Sequence, residues 1–264
     1  DRTSPTYPSV LSREVGLDYP YQEVQATLTV CPALSSMGSP LLIQVRAFLA
    51  SDGNRLPGLL FVVGTPPMDP GMGGDAALAR LRARLRERGH KLMLDFVPNH
   101  TALDHPWTVD HPEYYVGGSE LNRAKAPGNY VWVKRAAGDL LLAHGRDPYF
   151  PGWPDTLQLD YGNAATQEAM LGELMKVAGQ CDGVRCDMAM LVLPEVFEGT
   201  WGIRAKAFWP DATRRVRERF AGFRFMAEVY WDLEWTLQQQ GFDYTYDKRL
   251  YDRLREGHTR PVGV

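Results

Sequence analysis

From about residue 74 onward, apolar positions alternate between two rhythms: compact runs with every second side chain on one face, and longer stretches with apolar residues three or four apart. Gly73-Gly74-Asp75, followed by Leu78, Leu81 and Leu85, predicts an N-capped amphipathic helix closed by Gly89. KLMLDFV (91–97) predicts a buried strand that delivers an acid near its end. Asn163 caps a second helix that runs to about Gln180, with Met170, Leu171, Leu174 and Val177 on one side. GVRCDMA (183–189) is the next strand, and a helix at about 210–220 precedes a further strand in FRFMAEVY (223–230). DLEWTLQQQ (232–240), FDYTYD (242–247) and KRLYDRLREG (248–257) then read as helix, strand and helix. This order predicts parallel strands with covering helices.

Two stretches break the rhythm. Residues 101–155 are rich in Pro, Gly, His and aromatics and lack a long periodic run, which marks a loop-rich excursion. Trp107, Tyr114, Tyr115, Tyr130, Trp132, Tyr149, Phe150 and Trp153 crowd it. Such rings either wall a saccharide site, since sugar C–H faces stack on aromatics, or fill the thin core of a small subdomain. Residues 1–73 form an atypical N-terminal segment with strand candidates at QATLTV (25–30), LLIQVRAF (41–48) and LLFVV (59–63). The expected fold class is therefore α/β: an incomplete (β/α) TIM-type barrel of six or seven strands over residues 74–264 plus that segment, where a closed barrel has eight. An open parallel sheet exposes pairing groups, so a homo-oligomer or the N-terminal segment is expected to cover its edge.

Composition narrows the function classes. The net charge of −3 over 264 residues, with no basic cluster interleaved with aromatics, argues against nucleic-acid binding. The arginines of LARLRARLRER (78–88) alternate with Leu and Ala at helical spacing and read as a solvated helix face. No run approaches ~18 apolar residues, so no membrane span is expected. DRTSPTYPSV lacks the blocks of a signal peptide, and Cys31, Cys181 and Cys186 show no C-x-x-C spacing, so the expected location is cytoplasmic.

Three segments carry the chemistry: DFVPNH (95–100), GVRCDMAM (183–190) and FMAEVYW (225–231). Each brings a carboxylate to a strand end, so Asp95, Asp187 and Glu228 can converge on one cavity. Strand alternation puts Arg185 and Asp187 on one face and Val184, Cys186 and Met188 on the other. A cation beside Asp187 favours its ionised form, which suits a nucleophile. Glu228 sits among Phe225, Met226, Val229, Tyr230 and Trp231, an apolar setting that suits a general acid. Paired acids of this kind are equipment for breaking acetal bonds.

These segments resemble the first three sequence regions of the α-amylase superfamily of retaining glycosidases and transglycosylases, and TLQLDYGN (156–163) resembles the weaker region ahead of the third barrel helix. The likeness covers about residues 74–258. It implies Asp187 as nucleophile, Glu228 as acid/base, Arg185 as the arginine two before the nucleophile, and Asp95 and His100 as site-supporting, sugar-contacting residues. It places the excursion after the third family strand. It requires no cofactor but makes Asn99 a candidate Ca²⁺ ligand, although calcium takes six to eight oxygens and the sequence does not name the others. His90, His105, His111 and His144 form no metal pattern and read as loop or surface residues.

The departures are equally specific. The family's fourth region holds a His-Asp pair, whereas the only histidine after Glu228 is His258, followed by Thr259. The third carboxylate is missing unless Asp243, Asp247 or another group substitutes, and Leu191 stands where many amylases carry Lys or His. The resemblance implies a retaining enzyme for α-glucosidic bonds of short saccharides, C-terminally truncated relative to its family. The alternative is an impaired relative that binds carbohydrate or a protein partner without catalysis.

Overall fold

The structure, a computed structural model, describes residues 21–23, 45–50, 59–62 and 74–257. Its main sheet contains β1 (Tyr21–Glu23), β2 (Val45–Ala50), β3 (Leu59–Val62), β4 (Lys91–Phe96), β9 (Gly183–Cys186), β10 (Arg224–Ala227) and β11 (Tyr244–Thr245), side by side in that order. The pairings from β3 through β11 are parallel; β1–β2 and β2–β3 are antiparallel. Among the described residues β1 and β11 do not meet, so the sheet is open. The observed fold is thus α/β with a parallel centre. The strand number agrees with expectation, but β2 runs against the other six, so that the two pairings at one end are antiparallel, and among the described residues no barrel closes. Two N-terminal strand candidates correspond to β2 and β3; the short β1 carried no sequence signal, and residues 25–30 and Cys31 lie outside the described residues.

The parallel strands exist because their residues must be buried on both faces. On one side Leu92, Leu94, Phe96, Val184, Cys186, Phe225 and Ala227 are buried beneath the covering helices. These are α1 (Gly74–Glu87), α4 (Ala164–Gln180) and α6 (Trp209–Arg219). Asn163 caps α4 by accepting from the Ala165 N–H at 2.9 Å, and Leu174 and Val177 lie in the core as predicted. Trp209 is fully buried, donates to the Ala189 carbonyl at 2.9 Å and packs edge-on to Phe242. Asp182 locks the entry to β9: it accepts from the Leu92 N–H at 3.0 Å and pairs with Arg82 and Arg86 of α1, each at 2.9 Å.

Strand ends differ from the sequence pattern in one informative way. The run predicted as strand to residue 189 leaves the sheet after Cys186, because Met188 adopts a left-handed conformation with φ 44°. Asp187 therefore stands on a turn above β9, and a 3-10 turn (Ala189–Val192) and α5 (Pro194–Trp201) follow. Likewise β10 ends at Ala227, and Trp231 and Asp232 both take positive φ, at 64° and 61°, before α7 (Glu234–Gln239). The chain closes with α8 (Lys248–Arg255).

The excursion is a small structured unit. β5 (His100–Ala102) pairs antiparallel with β8 (Thr156–Gln158), and β6 (Tyr130–Val133) with β7 (Leu140–Ala143). Two short helices, α2 (Trp107–Asp110) and α3 (Glu120–Lys125), complete it, the latter opened by a Ser119–Asn122 capping box. Its crowd of aromatics divides between the two readings. Tyr115 is buried and Trp107, Tyr114, Tyr130 and Trp153 pack against the core, while Trp132, Tyr149 and Phe150 are exposed. His144 lies in a loop, as one of the two expected placements, but is buried and not at the surface, with Nδ1 2.8 Å from the Thr156 carbonyl. Among the described residues no helix is long and apolar enough to cross a membrane.

Candidate active site

β4, β9 and β10 are adjacent and parallel, so their C-terminal ends lie side by side, the place where parallel α/β sheets present ligand sites. Backbone bonds carry that alignment past the strand ends. The Asp187 N–H donates to the Phe96 carbonyl at 2.9 Å, and the Glu228 N–H to that of Cys186 at 3.0 Å. The Ala189 N–H then donates to the Glu228 carbonyl at 3.0 Å. In register, Asp95 stands opposite Arg185, and Arg185 opposite Met226.

Arg185 gathers the carboxylates. Its Nη1 donates to Asp187 Oδ1 at 2.6 Å and to Asp95 Oδ1 at 3.0 Å, and its Nη2 to Glu228 Oε2 at 2.5 Å. Its Nε donates to the Tyr246 hydroxyl at 3.1 Å. All three guanidinium nitrogens are thus engaged, which fixes the planar group and makes each bond charge-assisted. Asp95 and Glu228 are the more sheltered, with side chains 9% and 13% exposed, while Asp187 at 25% opens most to solvent. Burial pushes the Asp95 carboxyl above its ordinary range; Arg185 opposes this, and the neighbouring Glu228 charge adds to it. For Arg185 burial works against the charge, but the combined attraction of Asp95, Asp187 and Glu228 overrides it and holds the guanidinium above its usual range.

The structure brings together four of the five candidate residues. His100, at the start of β5, makes no hydrogen bond to the cluster among the described residues; its ring packs against Trp153 with centroids 5.2 Å apart. Burial pulls the His100 imidazole down to about 4, against a weaker pull from Asp155. The unfolded chain therefore takes up a proton at His100 near pH 6.5, and the folded chain only near 4. Stability supplied by the neutral ring is full above pH 6.5 and is lost as pH falls toward 4, by up to about 3 kcal/mol. Melting temperatures of His100→Gln and wild type, measured from pH 7 to 4, should show a shallower acid-side decline in the variant; parallel curves would refute this.

The setting of Glu228 needs correction. Phe225 and Val229 are buried, but the carboxylate does not rest among apolar groups. Oε2 accepts from Arg185 and from the Met188 N–H at 3.0 Å, and Oε1 pairs with the Tyr230 hydroxyl at 2.5 Å. The turn forced on Met188 is what aims that N–H at Glu228. From sequence, Tyr230, Tyr246 and Met188 carry no hydrogen-bonding part in the site. Tyr230 could have been given one, since it lies two residues past Glu228; Tyr246 becomes visible only through the pairing of β11 with β10.

Of the two proposed substitutes for the third acid, Asp243 is held away from the site. Asp243 lies at the opposite end of the sheet, where its carboxylate accepts from the Phe225 N–H at 2.8 Å and pairs with Arg217 and Arg224, each at 2.7 Å. Asp247 caps α8 through the Leu250 N–H at 2.8 Å. Leu191 is buried in the turn after β9. The donors around Asn99 do not fit a calcium site. Asn99 is buried, with Oδ1 accepting from Gln158 Nε2 at 3.0 Å and Nδ2 donating to Gln158 Oε1 at 3.1 Å. Among the described residues no group of three His, Cys, Asp or Glu side chains could hold a metal.

Strands that end in Asp95, Asp187 and Glu228 around one arginine define a carboxylate site at the mouth of a parallel α/β sheet. The sequence model of the alpha amylase catalytic domain matches residues 66–241, more than half of the chain, and the protein belongs to the alpha-amylase family. No curated protein matches the chain. Among solved structures, an alpha-amylase from Lactobacillus plantarum is 22% identical with a TM-score of 0.53, the match covering 75% of this chain and 47% of that one. An alpha-amylase from H. orenii is 21% identical with a TM-score of 0.51, over 71% and 39%. An alpha-glucosyl transfer enzyme, XgtA, is 17% identical with a TM-score of 0.53, over 70% and 42%. The chain spans less than half the length of each of these, and the likeness is one of fold.

Proposed function

We propose that the chain carries the nucleophile and acid/base half of a retaining site for α-glucosidic bonds of short saccharides, acting by hydrolysis or transfer. One observation supports this most: Asp187 and Glu228 extend from adjacent parallel strands and are bridged by a single guanidinium. In this reading Asp187 attacks the anomeric carbon as the bond to the glycosidic oxygen breaks, and Glu228 gives that oxygen its proton. Water or an acceptor hydroxyl then displaces Asp187 while Glu228 takes the proton back. Retention requires the two carboxyls about 5–5.5 Å apart. Among the described residues Glu228 Oε2 receives two N–H donors and Oε1 accepts only from the Tyr230 hydroxyl, so in this reading Oε1 is the oxygen that exchanges the proton with the glycosidic oxygen. Arg185 orients Asp187 through Nη1, and Asp95 and His100 hold the first sugar.

A second reading, binding without turnover, is favoured by the fate of Asp243, which is locked at the far end of the sheet. A panel of nitrophenyl α- and β-glucosides, α-glucosyl fluoride and maltose separates the two. Catalysis predicts turnover of the α-anomers, with Glu228→Gln slowing maltose by about 10²–10⁴-fold and fluoride, which leaves without a proton, far less. Inert wild-type protein, or equal effects of the variant on both substrates, would refute the catalytic assignment.

A further inference from the structure

Tyr246 reaches the carboxylate cluster from β11, and its place is fixed by the chain on either side. Only two residues of β11 pair with β10, yet the pairing is pinned at both ends. At its start the Asp243 N–H donates to the Phe225 carbonyl at 3.0 Å, while Asp243 Oδ2 accepts from the Phe225 N–H at 2.8 Å. At its end the Tyr246 N–H donates at 3.0 Å to the carbonyl of Ala227, the residue before Glu228. Asp247 then turns away to cap α8 through the Leu250 N–H. The Tyr246 side chain is half-buried, with its hydroxyl 3.1 Å from Arg185 Nε and the guanidinium carbon 5.6 Å from its ring centroid.

We propose that Tyr246 is a positioning residue for the reaction: its hydroxyl holds Arg185 end-on, so that one guanidinium spans Asp187 and Glu228. This deepens the proposed function and rests on it. A guanidinium can grip carboxylates in two ways, through both Nη atoms at its end or through Nε and Nη2 at its side. Glu228 accepts from Nη2, while Nη1 serves Asp187 and Asp95. With Nε free, Glu228 draws the guanidinium into the side-on fork, and that rotation takes Nη1 off Asp187. The Tyr246 oxygen occupies Nε and blocks the rotation. A hydroxyl suits the task because it accepts the bond without adding a fourth negative charge to the three acids that already share one cation. The outcome is a fixed relation between the two reacting carboxyls, on which a near-attack geometry depends.

Tyr246→Phe keeps the ring and deletes only the accepting atom. Maltose turnover should show kcat about tenfold lower with KM within about twofold of wild type, since Tyr246 acts through Arg185 and not on the sugar. The direct readout is exchange of the Arg185 Nε–H with water, followed by NMR, its resonance assigned by its absence from Arg185→Lys. Exchange should be at least about tenfold faster in Tyr246→Phe, the scale of one lost hydrogen bond. The Trp209 indole N–H, which donates to the Ala189 carbonyl in the core, should keep its wild-type rate. An unchanged kcat, a KM that rises as far as kcat falls, or an unchanged Nε–H rate overturns the proposal. Equal acceleration of both N–H groups overturns it too, because the hydroxyl would then only support the fold. If wild type does not turn over maltose, the catalytic reading fails by itself and the two exchange rates decide Tyr246. Selective acceleration at Arg185 then upholds its hold on the guanidinium, and any other pattern overturns it.

Discussion

Asp187→Asn is expected to lower turnover of α-glucosyl fluoride by on the order of 10⁴ or more while the protein stays folded. The amide keeps the shape of the carboxylate and an oxygen that still accepts from Arg185 Nη1. In the proposed mechanism it removes the oxygen that forms the ester to the sugar, and fluoride needs no proton from Glu228, so the loss would isolate the nucleophilic step. The charge balance favours survival of the fold, since the variant leaves Arg185 paired with Asp95 and Glu228. A chemical signature accompanies the loss. In Asp187→Ala, where the side chain is truncated, azide can enter the space vacated by the carboxylate and attack the anomeric carbon directly as fluoride leaves, giving a β-glucosyl azide from an α-fluoride by single inversion. Product anomer by NMR and rate by fluoride release are the measurements. Wild-type rates in the variant would remove Asp187 from the mechanism, and an α-azide would show that a second nucleophile remains.

How much of this was legible before the fold was known follows from which interactions are local. Asp95, Arg185, Asp187 and Glu228 could be placed because each lies at or just past a short strand with a two-residue repeat. The register of three parallel strands then does the rest. α4 was equally readable, from its Asn163 cap to its buried stripe. The environment of Glu228 was not, because its partners come from elsewhere: Arg185 from the next strand, and the Met188 N–H from a left-handed turn that strand periodicity hides. His100 was legible as a residue type but not as a position, since its neighbour Trp153 lies at the far end of the excursion. The antiparallel turn of the sheet beyond β3 was invisible for a related reason. Apolar runs such as LLFVV announce a strand but not its direction, which depends on the route of the intervening chain.

The dependence of the site on one cation leads to the largest expected change in stability. Arg185→Met keeps much of the side-chain length but removes the charge that Asp95, Asp187 and Glu228 share. Three carboxylates are then left side by side, none more than 25% exposed. Breaking a buried pair by deleting one partner typically costs about 3–5 kcal/mol, because the remaining charge is neither solvated nor compensated. The site is partly open, so the lower end of that range is expected near pH 7, read from urea unfolding midpoints at constant slope. The sign of the pH dependence supplies the control. Asp95 is already displaced upward by burial, and folded-state protonation of a carboxyl that binds protons more readily than in the unfolded chain stabilises the fold as pH falls. Without Arg185 that displacement grows, so the gap between variant and wild type should narrow from pH 7 toward 4.5. Arg215→Met, which breaks an exposed pair with Glu168, should change little at either pH. A stability loss in Arg185→Met that does not depend on pH would show that the arginine acts by packing its stem and not by its charge, and the account of the site as one cation shared by three acids would fail with it.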